Sequence, residues 1–316
     1  MATILDTMNV DKHAHIQKDM VWQFGDRHDG VIEIPALTRD AGVVEIGYYY
    51  GDLKPKNIIG ISTQIGCPSK CTFCELGAER FGRNLTPVEM YGQVVLMLET
   101  ASQYGIDVNA VQHKVSVAKT GEPLFNDALV GGLEMIAEFP FSYKISTVFP
   151  AAQRCLENFR TAARFAAQSA EAVQMQISLI STSEDYRRKA AGIEVTPLQE
   201  ICKAGEYWKN LNPYGRKVNL SLILSEDVPC DAQAVSKILS PELFHFRFRN
   251  YVPTQNGKNH SLAPITSGRI ARIKQEFSEY GYEVTAAATP TAIEQKFSLA
   301  ANVTRRRYMQ IVQGTW

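Results

Sequence analysis

IGCPSKCTFCELG, residues 65–77, brings Cys67, Cys71 and Cys74 into one short loop with the spacing Cys-x3-Cys-x2-Cys. Three thiols gathered this tightly have no packing reason to cluster, so the pattern reads as a metal site. A structural zinc is closed by four protein ligands, whereas three thiolates leave one metal position open for chemistry. The other cysteines, Cys155, Cys202 and Cys230, are scattered. The competing reading is a zinc site that recruits His113 or Cys230 as its fourth ligand.

The flanks of this loop place it in a fold. VVEIGYYY (43–50) and NIIGISTQI (57–65) read as strands from their β-branched and aromatic content. LTPVEMYGQVVLMLETASQYG then reads as a helix. Thr86 is its cap, Pro87 suits its first turn, Glu89 completes a capping box and Gly105 ends it. Strands HKVSVAK, YKISTVF, AVQMQISLI, KVNLSLIL, LFHFRFRNYV and YEVTAAA follow, separated by helical patterns such as AAQRCLENFRTAARFAA and SGRIARIKQEFSEYG.

This alternation predicts an α/β chain with a parallel sheet. About six βα units after the cysteine loop suit a partial (β/α)6 barrel rather than a full eightfold one. Active residues in such arrays gather on loops leaving the carboxyl ends of strands, which puts the metal at the barrel mouth. The expected organisation is an N-terminal extension over 1–42, the barrel over 43–290 and a C-terminal segment over 291–316.

Bulk properties narrow the classes. The 316 residues include 45% hydrophobic ones, ample for a core, and no run is long enough to span a membrane. The first residues lack a signal peptide's apolar stretch, so a cytoplasmic, thiol-reducing setting is expected. Lys plus Arg and Asp plus Glu are both 33, so no net positive field draws in a phosphate backbone. The densest basic run, Arg305 to Arg307, reads as a solvated helix face.

Further polar residues fall at strand ends. Gly121-Glu122-Pro123 follows the strand ending near Lys119, and a carboxylate on such a turn suits a ligand ammonium. Ser146, Ser178 and Asn250 lie at the ends of later strands, where turn and cap chemistry is the alternative reading.

Together these stretches resemble the RlmN/Cfr family of the radical S-adenosylmethionine (SAM) superfamily, which methylates adenine in ribosomal RNA. The resemblance rests on ISTQIGCPSKCTFCELGAERFGRNLTPVEM, GEPLFND, ISTVFP, QISLISTSEDYRRK, and RNYVP with SGRIARIKQEFSEYGYEVT, in that order. It implies a radical-SAM partial barrel and a [4Fe-4S] cluster on Cys67, Cys71 and Cys74. It also implies SAM contacts from Gly121, Glu122, Ser146, Ser178 and Asn250, and a base at Glu45. An electron donor such as flavodoxin or ferredoxin follows from the same chemistry.

The sequence also departs from that family. TAIEQKFSLAANVTRRRYMQIVQGTW contains no cysteine where the family carries its methyl-bearing one, and Gly60 stands near the place of another family thiol. The portion ahead of Cys67 is short for an RNA-binding accessory domain. The leading expectation is therefore a radical SAM enzyme acting on a small metabolite or peptide. An RNA-modifying transferase without the carrier cysteine, and a non-catalytic metal-binding interaction protein, are the alternatives.

Overall fold

The computed structural model describes residue 4 and residues 15–52, 54–286 and 303–314. Its strands are β1 (Ile16–Lys18), β2 (Trp22–Gly25), β3 (Gly30–Thr38), β4 (Val43–Tyr50), β5 (Asn57–Ile61), β6 (His113–Val117), β7 (Ser142–Thr147), β8 (Val173–Ile180), β9 (Val218–Leu224), β10 (Phe244–Asn250) and β11 (Glu283–Ala286). They form one sheet in the order β1-β3-β4-β5-β6-β7-β8-β9-β10-β11, with β2 paired to β3. Pairings from β1 to β5 are antiparallel, and those from β5 to β11 are parallel.

The parallel half is the βα alternation read from the sequence. The helices are α1 (Pro87–Gln103), α2 (Leu129–Ile136), α3 (Gln153–Gln168), α4 (Glu184–Ala191), α5 (Leu198–Leu211), α6 (Ala232–Ser236), α7 (Gln255–Asn259), α8 (Ser267–Glu279) and α9 (Thr304–Val312). At α1, Thr86 accepts from the Glu89 N–H and Glu89 accepts from the Thr86 N–H, as the capping pattern predicts. Val115, Ile145, Ile177, Leu220 and Phe246 belong to the main buried core. Strand alternation turns their neighbours onto the opposite, concave face.

Three expectations need correction. Strand 57–65 ends at Ile61, because the Thr63 and Gln64 N–H groups both turn to the Thr120 carbonyl. The weakly patterned N-terminal stretch includes β1 and β2, which pair onto β3 and so extend the same sheet. The arginine run is not a solvated face, for α9 lies against β3 and β4. There Arg305 pairs with Glu79, Arg306 Nη1 lies 2.9 Å from Glu75, and Thr304 Oγ1 donates to Glu33 at 2.8 Å. Local patterning cannot reveal acids that arrive from distant segments. Residues 291–302 of the C-terminal segment and the end of the YEVTAAA strand lie outside the described residues.

Two buried carboxylates occupy the antiparallel side. Glu33 accepts two bonds from Lys119 Nζ, at 2.6 and 2.8 Å, and one from the Tyr49 hydroxyl. Glu45 accepts the Arg305 N–H at 2.7 Å through Oε1, while its Oε2 has no partner among the described residues. Burial pushes the Glu45 carboxyl up from 4.5 to about 7.

Below pH 4.5 this carboxyl is protonated whether folded or unfolded, and it exacts no penalty. Between there and about 7 the unfolded chain releases a proton that the folded chain keeps, so stability falls as pH rises. Glu45→Gln keeps an acceptor for Arg305 and removes the titration. In denaturant titrations it is expected to exceed the wild type by on the order of 3 kcal/mol at pH 8 and to match it near pH 4. An equal difference at both pH values would contradict this assignment.

Candidate functional site

The chain leaves β5 at its carboxyl end and turns at Gly66, where φ is +69° and an added Cβ would lie 2.0 Å from the Arg80 carbonyl oxygen. Only glycine fits so close a backbone approach in the left-handed region. Cys67, Cys71 and Cys74 follow in an irregular segment that ends in a short 3-10 turn, Glu75–Ala78. No ladder holds this segment, so other groups must satisfy its backbone.

Two remote elements do so. The Lys70 and Thr72 N–H groups donate to the Ala191 and Ala190 carbonyls at the end of α4, at 3.0 and 2.9 Å. Asn256 in α7 donates its side-chain amide to both the Cys71 and the Cys74 carbonyl oxygens, each at 3.0 Å. The Gln255 N–H donates to Glu75 Oε1 at 2.6 Å, and Thr254 Oγ1 to the Phe73 carbonyl at 3.3 Å. Neither α7 nor Asn256 carries a sequence signal, since five polar residues have no helical period.

The three thiols share this loop, although among the described residues no three His, Cys, Asp or Glu side chains are gathered closely enough to hold a single metal ion. Cys67 and Cys71 are each 7% exposed. Burial, then Glu122 and Cys74, push the Cys67 thiol up to about 12, and burial, then Cys74 and Cys67, raise Cys71. Their mutual repulsion means that three thiolates here need a cation among them. That soft donor set, three sulfurs with no fourth thiol alongside, fits a metal cluster with one open corner.

The zinc alternative fails on position. His113 opens β6 at the opposite strand end, where Nε2 meets the Tyr48 hydroxyl at 2.8 Å and the ring lies 5.0 Å from Phe141. Cys230 packs against the main core, whereas Cys71, Phe73 and Cys74 share a separate small cluster with Val148 and Ile180.

Gly121 and Glu122 sit beside the loop. Gly121 has φ +114°, and a Cβ there would lie 2.7 Å from Thr63 Oγ1. Glu122 is buried, and burial pushes its carboxyl up to about 7. It accepts from Thr147 Oγ1, from the Val148 N–H at 2.8 Å and from the Leu124 N–H at 3.1 Å. A carboxylate offers about four acceptor sites, so one remains for a ligand. Ser146 and Ser178 lie near the carboxyl ends of the adjacent strands β7 and β8, and Asn250 is the exposed last residue of β10. Glu45 is one strand away from β5, on the antiparallel side.

Phe149 and Ile180, just past Thr147 and Ser178, have φ of +56° and +69°. Such strain in bulky residues is held only where the surroundings over-determine it. Sequence reading passed over Asn256 and these two residues.

No protein-family model matches the chain. Among curated proteins it is similar to the dual-specificity RNA methyltransferase RlmN of Ruegeria pomeroyi, 30% identical over 115 residues that cover 35% of this chain and 29% of the relative. It is also similar to a probable dual-specificity RNA methyltransferase RlmN of Clostridium beijerinckii, 25% identical over 296 residues, 90% of this chain and 77% of the relative. Among solved structures it superposes on a radical SAM methyltransferase from Sphaerobacter thermophilus with a TM-score of 0.70 at 20% identity, covering 89% of this chain and 79% of that one. SuiB of Streptococcus suis, solved with SAM, follows at a TM-score of 0.50 and 14% identity, covering 73% and 50%. No helix among the described residues is long and apolar enough to cross a membrane. In fold the chain is similar to a radical SAM methyltransferase, and in sequence it resembles the RlmN methyltransferases.

Proposed function

We propose that the chain is a radical SAM enzyme whose cluster sits on Cys67, Cys71 and Cys74 and whose substrate is a small metabolite or peptide. The observation that carries this reading is that three cysteines, with no fourth in the same loop, follow the carboxyl end of β5 in a segment tied to α4 and α7, with the buried Glu122 beside it. Bound there, a [4Fe-4S] cluster supplies the electron that cleaves SAM to a 5′-deoxyadenosyl radical. A reduced flavodoxin or ferredoxin is the donor class that fits.

The chain's own residues bind and orient. Glu122 offers its remaining acceptor site to the SAM ammonium. Ser146 and Ser178 offer hydroxyls from neighbouring strands, and Asn250 offers an amide at the rim. Gly121 lets the backbone come close to the ligand without a side chain in the way. Glu45 is the proton acceptor: it is buried, has one uncommitted oxygen, and is poised near neutrality, where a base is most effective.

A second reading keeps RNA as the substrate, favoured by similarity that runs over 77% of one RlmN relative. A steep fall in RNA affinity with salt would distinguish it.

In anaerobically reconstituted, dithionite-reduced protein, Cys71→Ala is expected to lose bound iron and all 5′-deoxyadenosine formation, whereas Cys155→Ala, in α3, keeps both. Full iron and turnover in Cys71→Ala would end the proposal. Asn256→Leu, which removes both bonds to the cysteine carbonyls, is expected to keep the fold and to lose iron to a chelator at least about tenfold faster. Unchanged retention would show that Asn256 does not shape the site.

A further inference from the structure

The concave face of the parallel strands carries cations that the site above does not use. Lys114 of β6, Lys144 of β7 and Arg247 of β10 lie on it, and register places Gln176 and Ser221 of the intervening strands on the same face. In a flat sheet β7 and β10 would stand roughly 14 Å apart, three steps of about 4.8 Å. Yet Lys144, whose ammonium is disfavoured first by burial, is disfavoured next by Arg249 and Arg247, and then by Lys114. Lys114 in turn feels Arg247 most after its own burial. The sheet therefore curls far enough for these charges to act on one another across it.

Among the described residues neither Lys114 nor Lys144 has a carboxylate partner. Glu33 is taken by Lys119, and Glu45 receives the Arg305 N–H on one of its oxygens on the antiparallel side. Three further atoms on this face are buried with no hydrogen-bond partner: Arg247 Nε, Ser221 Oγ and Gln176 Oε1. Ser221 and Gln176 are 1% and 2% exposed, so solvent does not satisfy them. Gln176 Oε1 is an acceptor, but like charges brought together with idle donors at Arg247 Nε and Ser221 Oγ are unfavourable unless an anion joins them.

We propose that this face of the sheet binds the phosphate of a small phosphate-ester substrate, with Lys144 and Arg247 as its charged donors and Ser221 as a neutral one. The inference rests on the radical SAM reading, which makes the barrel interior the place of the substrate. Arginine's planar fork and lysine's ammonium are the donors that phosphate oxygens take. A mononucleotide-sized ester fits a recess within the strands better than a nucleic-acid backbone does.

The test is calorimetric titration of the full-length protein with inorganic pyrophosphate at low salt, without SAM. One site is expected. Lys144→Met and Arg247→Met should each weaken it at least roughly tenfold, while Lys144→Arg and the outer-surface Lys237→Met stay near wild type. AMP should displace pyrophosphate, and adenosine should not. Wild-type protein without binding, or both methionine variants binding as wild type, overturns the proposal. Displacement by a short single-stranded RNA but not by AMP overturns its small-molecule form. SAM cleavage is assayed separately on the same preparation: pyrophosphate binding without cleavage removes the enzyme reading alone, and cleavage without binding removes this site alone.

Discussion

Two hydrogen bonds from one amide hold the centre of this molecule in shape. Asn256 donates to the carbonyl oxygens of Cys71 and Cys74, tying the cysteine segment to a short helix that follows β10. The segment has no ladder and no long helix of its own, and its thiols repel one another once ionised. Its geometry is therefore borrowed: from α4 through the Ala190 and Ala191 carbonyls, and from α7 through Thr254, Gln255 and Asn256. Elements that follow β5, β8 and β10 meet at this loop, so the parallel strands must be assembled before the three sulfurs are correctly placed.

The concave face is divided by charge. On the antiparallel side Glu33 and Glu45 are buried, answered by Lys119, Thr304 and the Arg305 backbone. On the parallel side Lys114, Lys144 and Arg247 lie on one face and disfavour one another's charge. A chain of zero net charge thus contains a strongly polarised interior. Balance across the whole sequence says nothing about the field at one site.

Much of this was legible in the sequence, for identifiable reasons. The capping box at Thr86 and Glu89, and the alternation of apolar strands with amphipathic helices, are local signals, and both stand in the structure. The cysteine spacing is local too. What sequence could not supply depends on long-range meeting. Nothing local marks Asn256 or Lys144, and Arg305 and Arg306 read as solvent-facing charge, until the fold brings each to its neighbours. His113 looked available as a metal ligand, but it closes the far end of β6 between Tyr48 and Phe141.

The central claim is that the three thiols hold a cluster whose open corner receives SAM. Electron paramagnetic resonance of the anaerobically reconstituted, reduced protein, recorded before and after adding SAM, tests it most directly. The account predicts an iron–sulfur signal whose g-values shift on SAM addition. A protein that takes up zinc alone, or an iron signal indifferent to SAM, would contradict it.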